Sequence, residues 1–143
     1  MEGEARKVDS GSKLKILRRE ESLRSRQYRG VCVRVLYERD SWEILRTEMD
    51  PGSALDDHEI GIFPAIHFVI EGSPVFQVAN QTHDLMPGDS IALEDRERYK
   101  ISNPISSRSS FLSFFFKNSA TQKKEGNDGL TAFRGGKHEE LKG

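Results

Sequence analysis

Val31, Val33, Val35 and Tyr37 alternate along the chain with Cys32, Arg34 and Leu36. A period of two places successive side chains on opposite faces of an extended backbone, so this run predicts a strand. Trp42 to Met49 predicts a second. Ile66 to Glu71, Val75 to Ala79, Thr82 to Met86, Ser90 to Leu93, Arg98 to Ser102 and Phe111 to Lys117 predict the remainder. Turn chemistry separates these runs at Asp50-Pro51-Gly52, Gly61, Gly72-Ser73-Pro74, Pro87-Gly88-Asp89 and Asn103-Pro104, because proline presets φ and glycine accepts positive φ. None of the runs carries a 3.6-residue period. Many short strands at regular spacing predict an all-β barrel or sandwich.

The flanks have a different composition. From Asn118 to Gly143 only Leu130, Phe133 and Leu141 are large and apolar, and the first dozen residues include Gly3, Ser10, Gly11 and Ser12. Such segments cannot bury enough apolar surface to offset chain entropy. The expected organisation is therefore a polar, basic arm over 1–27, a barrel over 28–117 and a polar, flexible tail over 118–143. The formal net charge of -1 conceals segregation: residues 51–95 carry eight acidic side chains and no Lys or Arg, whereas 1–30 carry nine basic against five acidic, and 96–143 carry ten against five. The basic arm has Lys15, Arg18, Arg19, Arg24, Arg26 and Arg29 around Tyr28, but Glu20 and Glu21 interrupt it and no nucleic-acid-binding motif accompanies it. Nucleic acid is not an expected partner; a β-extension laid across a partner subunit is the expected role. Cys32 is the single cysteine, which excludes an intramolecular disulfide framework. No apolar run is long enough to span a bilayer and Met1 to Lys15 lacks the core of a secretory signal, so a cytoplasmic protein is expected, without membrane partners.

Residues 52–103 carry a recognisable frame. Gly52 is followed after five residues by His58, then Glu59, Ile60, four residues, Ala65, six residues and Gly72. Gly88 is followed by five residues, Glu94-Asp95-Arg96, two residues, Tyr99, three residues and Asn103. With Phe68-Val69-Ile70-Glu71-Gly72 and the Pro87-Gly88-Asp89 turn, this spacing resembles both motifs of the cupin superfamily. The resemblance implies an RmlC-like, cupin_2-type conserved barrel: an all-β double-stranded β-helix, or jelly roll, often dimeric. It also implies where a metal would sit. Metal-binding cupins place His, His, Glu and His at the positions held here by His58, Ile60, Ala65 and Tyr99, so the motif is degenerate. One imidazole beside Ile and Ala is too few ligands for Fe, Mn, Ni or Zn, and no metal cofactor is expected. A two-residue period puts His67 on the face of Ala65, which leaves one alternative metal set, His58 and His67 with a carboxylate.

The same frame directs His58, Ile60, Ala65, His67, Val69 and Tyr99 into the barrel mouth. Loss of the metal and of the Glu frees volume there, so the first expectation is a sensor or binding module for a small organic ligand. An enzyme of the isomerase or epimerase type is the second, with His58, His67 and Tyr99 as a metal-free acid/base set. That chemistry also needs a cation for the developing charge, and Arg34, Arg46, Arg96 and Arg98 are the candidates. The third is a barrel packed solid, serving as a scaffold or dimerisation unit. Glu94 to Arg98 is a run of five charges expected to form an exposed loop over the mouth. Phe111, Leu112, Phe114, Phe115 and Phe116 put apolar side chains on both faces of one strand, one for the core and the other for a second subunit, so a homodimer is expected.

Overall fold

A computed structural model describes residues 14–56 and 63–117. His58, Ile60 and the tail expected over 118–143 lie outside the described residues. Ten strands run in order: β1 (Arg24–Tyr28), β2 (Val31–Glu38), β3 (Trp42–Met49), β4 (Ala54–Leu55), β5 (Ala65–Glu71), β6 (Val75–Val78), β7 (Gln81–Asp84), β8 (Ser90–Leu93), β9 (Tyr99–Ser102) and β10 (Ser109–Phe116). They form two antiparallel sheets, ordered β1-β2-β3-β10-β5-β8 and β4-β9-β6-β7. No described segment is helical, and none is a helix long and apolar enough to cross a membrane.

The alternation read from the sequence sets the two faces of the larger sheet. Val31, Val33 and Val35 of β2, Leu45, Thr47 and Met49 of β3, Ala65, His67 and Val69 of β5, and Phe111, Ser113 and Phe115 of β10 are all buried. Across from them the smaller sheet contributes Leu55, Phe76, Tyr99 and Ile101. Their intervening neighbours point away from the core. Two irregularities break the period: β2 slips against β3 between Val35 and Tyr37, and β10 slips against β5 at Ser110/Phe111. A bulge adds a residue to one strand and increases its twist, which helps a flat ladder curve.

β1 lies within the stretch expected to be an arm, so the sheet starts at Arg24 rather than near Tyr28. Its hairpin to β2 turns on Arg29 and Gly30, both at positive φ (44° and 87°). The β6–β7 hairpin turns on Ala79 and Asn80, again both positive. Two positive φ values in a two-residue loop match the right-handed twist of the flanking strands. Neither dipeptide is a common signal for that turn, which is why β1 is not evident from sequence.

Gly72 closes β5 at φ +81°, and a Cβ there would stand 2.6 Å from the Cα of Ser109 and 2.7 Å from the carbonyl oxygen of Arg108. Both obstacles are backbone of β10's start, so neither can rotate away. Gly72→Ala is expected to destabilise the fold by about 2–3 kcal/mol, the sum of a left-handed penalty and overpacking. Urea unfolding checks it, and a change under ~0.5 kcal/mol would show that β10 can move.

Candidate functional site

The barrel axis is occupied by side chains, with His67 at its centre. One ring nitrogen, Nδ1, is hydrogen-bonded to Ser113 Oγ at 2.7 Å, and the other, Nε2, to Tyr99 Oη at 2.9 Å. Ser113 is His67's cross-strand partner on β10, and Tyr99 reaches in from β9 of the opposite sheet. A neutral imidazole has one donor and one acceptor nitrogen, and each hydroxyl can take either role, so all three polar tips are satisfied. Around the ring stand Phe76, Phe111 and Phe115, with centroids 5.2, 5.6 and 5.6 Å away, the last two edge-on. Phe76 also stacks on Tyr99.

This setting determines the protonation of the pair. Burial lowers the His67 pKa to about 3, because removal from bulk solvent disfavours the charged imidazolium. Burial, with a smaller effect from the Glu97 carboxylate, raises the Tyr99 phenol well above its ordinary value. Both groups are therefore neutral across the physiological range, and neither is poised near neutrality as acid/base catalysis favours.

Of the residues expected at the barrel mouth, Ala65, His67, Val69 and Tyr99 all face the interior and are buried. Residues 57–62, which include His58 and Ile60, lie outside the described residues, so only the space beside His67 is described. The void next to His67, bounded also by Leu45, Thr47, Phe111 and Phe115, measures about 20 Å³. That admits a single water and no organic ligand. On the described side of the interior, the aromatic rings of β6 and β10 pack around His67 beside Ala65.

None of the four arginines considered for charge stabilisation reaches the interior. Arg34 and Arg46 lie on the outer face of β2 and β3, in range of Glu48 at 3.7 and 4.0 Å, and Arg96 and Arg98 are exposed in the loop before β9. That loop is stabilised by its own turn: the Glu94 amide donates to Glu97 Oε1 at 2.8 Å, and Arg96 adopts φ +63°.

Among the described residues no metal-ligand set is assembled, and His58 lies outside them. Ala65 offers no ligand atom, both nitrogens of His67 are engaged, and no group of three His, Cys, Asp or Glu converges among the described residues.

Several interior polar residues were not singled out by the sequence reading. Thr47 and Ser113 occupy inward positions. Glu43 and Lys117 form a buried pair at the barrel end, Nζ to Oε1 3.5 Å, with side chains 0% and 3% exposed. The signal was present in the period, since Glu43 is two residues from Leu45 and Lys117 two from Phe115. At the opposite end Asn103 Nδ2 donates to the Met49 and Ser107 carbonyls, each at 2.9 Å, and Ser109 Oγ donates to Asn103 Oδ1 at 2.7 Å. The family-frame Asn103 thus ties β3, β9 and β10 together.

No protein-family model matches the chain, and no curated protein matches its sequence. Solved structures match its fold. A cupin 2 conserved barrel domain protein from Salinispora arenicola superposes at TM-score 0.62 and 14% identity, covering 80% of this chain and 96% of that one. A cupin superfamily protein from Desulfitobacterium hafniense gives 0.58 and 19%, covering 75% and 100%. A cupin-superfamily sugar phosphate isomerase from Silicibacter pomeroyi gives 0.54 and 17%, covering 62% and 60%. At these identities the likeness is one of fold, and a fold hosts many functions. Two curved antiparallel sheets closed around inward-facing His67, Ala65 and Tyr99, together with these superpositions, identify the fold of this chain as the cupin double-stranded β-helix.

Proposed function

We propose that this chain is a metal-free cupin barrel acting as an assembly module, which pairs with a second copy through the outer face of β5 and β10. The observation that carries it is where apolar surface is spent: the interior is closed on His67, Tyr99 and Ser113, while large apolar side chains remain outside. Ile66, Phe68 and Ile70 of β5 are 40%, 42% and 43% exposed. Cross-strand pairs Phe68–Leu112 and Ile66–Phe114 join them to the outer face of β10, and Ile66–Ala92 extends the patch onto β8. These positions carry no charge, so they suit an equally apolar partner, and the chain supplies one in its own copy. A two-fold axis lets one patch serve as both halves. A free thiol at Cys32 and the absence of a disulfide go with a cytoplasmic setting.

Sedimentation equilibrium tests the pairing. The parent chain is expected to run as a dimer and Phe114→Glu as a folded monomer, because a carboxylate buried between two apolar sheets would have no partner. A monomeric parent, or a Phe114→Glu variant that stays dimeric, would remove this face as the interface. Elemental mass spectrometry on protein purified without chelator is expected to find no stoichiometric transition metal. A metal retained by the parent and lost in His67→Ala would reinstate the substituted ligand set.

A further inference from the structure

On the outer side of β2 and β3, away from the closed interior, the chain before β1 lies back across its own sheet. The Leu23 amide donates to the Val35 carbonyl at 2.8 Å, Arg34 Nη1 donates to the Glu20 carbonyl at 3.0 Å, and Arg46 Nη2 donates to the Arg19 carbonyl. Residues 19–23 are thereby fixed, and residues 14–18 overhang the sheet. Between overhang and sheet runs a groove of about 770 Å³. This is the size of a pocket for a small organic molecule, whereas the void in the barrel is not.

The groove is two-sided in chemistry. Leu17 of the overhang and Leu23 of the fixed stretch line the groove with Leu36, whose neighbour Tyr37 also lines it, at the β2 bulge. The charged lining is Lys15, Arg18, Arg39 and Arg46 against one carboxylate, Glu38. Glu38 is already engaged by Arg24 Nη1 at 2.6 Å. Arg46 is also under-compensated. It stands opposite Arg34 in the β2–β3 register, shares Glu48 with Arg34 and Arg108, and its buried Nε has no hydrogen-bond acceptor. Two like charges directly across a ladder are unfavourable; Arg34 also meets Glu20 Oε1 at 3.4 Å, whereas Arg46 has among the described residues only the shared Glu48 carboxylate, at 4.0 Å.

We propose that this groove binds a small amphipathic carboxylate, whose apolar body lies between Leu17, Leu23 and Leu36 and whose anionic head meets Arg18 and Arg46. The inference is independent of the dimer face on β5 and β10. An apolar tail alone would leave the guanidinium groups uncompensated, and a bare anion would leave the leucines in water. A molecule carrying both satisfies each side, and the excess of cations determines the sign of the head group.

Two-dimensional NMR on the isotope-labelled full chain tests it, with decanoate as the probe and decyltrimethylammonium as its sign-reversed counterpart. Decanoate is expected to bind saturably, with shifts concentrated at the amides of residues 14–23, Leu36 and Tyr37. The cation is expected to leave those amides unmoved. The Lys15→Glu/Arg18→Glu double variant alters exposed side chains that hold no strand, and is expected to weaken decanoate about tenfold. Affinity should also fall as salt rises. Equal shifts from the cation would make the surface one without charge preference. Shifts gathered on β5 and β10 would reassign the probe to the phenylalanine face. No saturable binding, with the groove amides instead perturbed by deleting residues 118–143, would assign the groove to the chain's own tail. Each of these results overturns the proposal.

Discussion

Phe111→Ala is expected to cost about 3–5 kcal/mol of folding stability, the range for deleting a fully buried aromatic side chain. Phe111 is 1% exposed, and its ring meets His67 edge-on at 5.6 Å and Phe76 at 5.7 Å. It also borders the 20 Å³ void, so the deleted volume would join a space that already exists rather than be closed by a small shift. The surrounding strands are held by ladders on both sides of β10 and cannot collapse inward. Single domains are stable by only about 5–15 kcal/mol, so this variant should lie near the folding threshold, with Tm lowered by more than about 12 °C. Thermal and urea unfolding decide it. A loss below ~1 kcal/mol would show that the interior is loosely filled, and the expectation of a ligand inside the barrel would return.

Acid should unfold the protein through His67. Its folded-state pKa of about 3 lies below the unfolded value of 6.5. Between those two values the native state keeps the ring neutral while the unfolded chain binds a proton. Stability from this group is therefore fully present above pH 6.5 and is lost as pH falls, at about 1.4 kcal/mol per unit. From pH 6.5 to 3.5 the loss amounts to roughly 4 kcal/mol, on the order of half a small domain's stability. His67→Gln keeps a donor and an acceptor facing Ser113 and Tyr99 but does not titrate. Its urea midpoint should be lower than the parent's at pH 7, and its stability should vary less with pH between 4 and 6.5 by one proton's worth. Parallel pH profiles for parent and variant would mean that the native state accommodates a protonated His67, and hence that the interior is wetter than the hydrogen-bonded triad requires.

Both predictions depend on the same physical fact. A polar triad inside an aromatic shell is stable only while each member has its partner, because the phenylalanine rings around it offer none. Of the residues that the family frame directs inward, Ala65, His67, Val69 and Tyr99 are buried in the interior. They converge as a core, because Phe76 and Tyr99 arrive from the opposite sheet and occupy what a one-dimensional reading leaves as empty volume.

The sequence by itself determined eight of the ten described strands, most of the turns between them and which side of those strands faces in. The period of two is a local property, enforced by backbone geometry within each run, so Ala65, His67 and Val69 could be assigned to one face without any knowledge of the fold. The tertiary structure decided the remainder. Whether the barrel is open depends on the sum of side-chain volumes from strands far apart in sequence, such as β5, β6 and β10. The role of β1 depended on Arg29-Gly30 adopting a turn that its residues do not announce, paid back by ladder pairing with β2. The groove beneath residues 14–23 exists only because Arg34 and Arg46, isolated on separate strands, become neighbours in register and together hold the chain that crosses them.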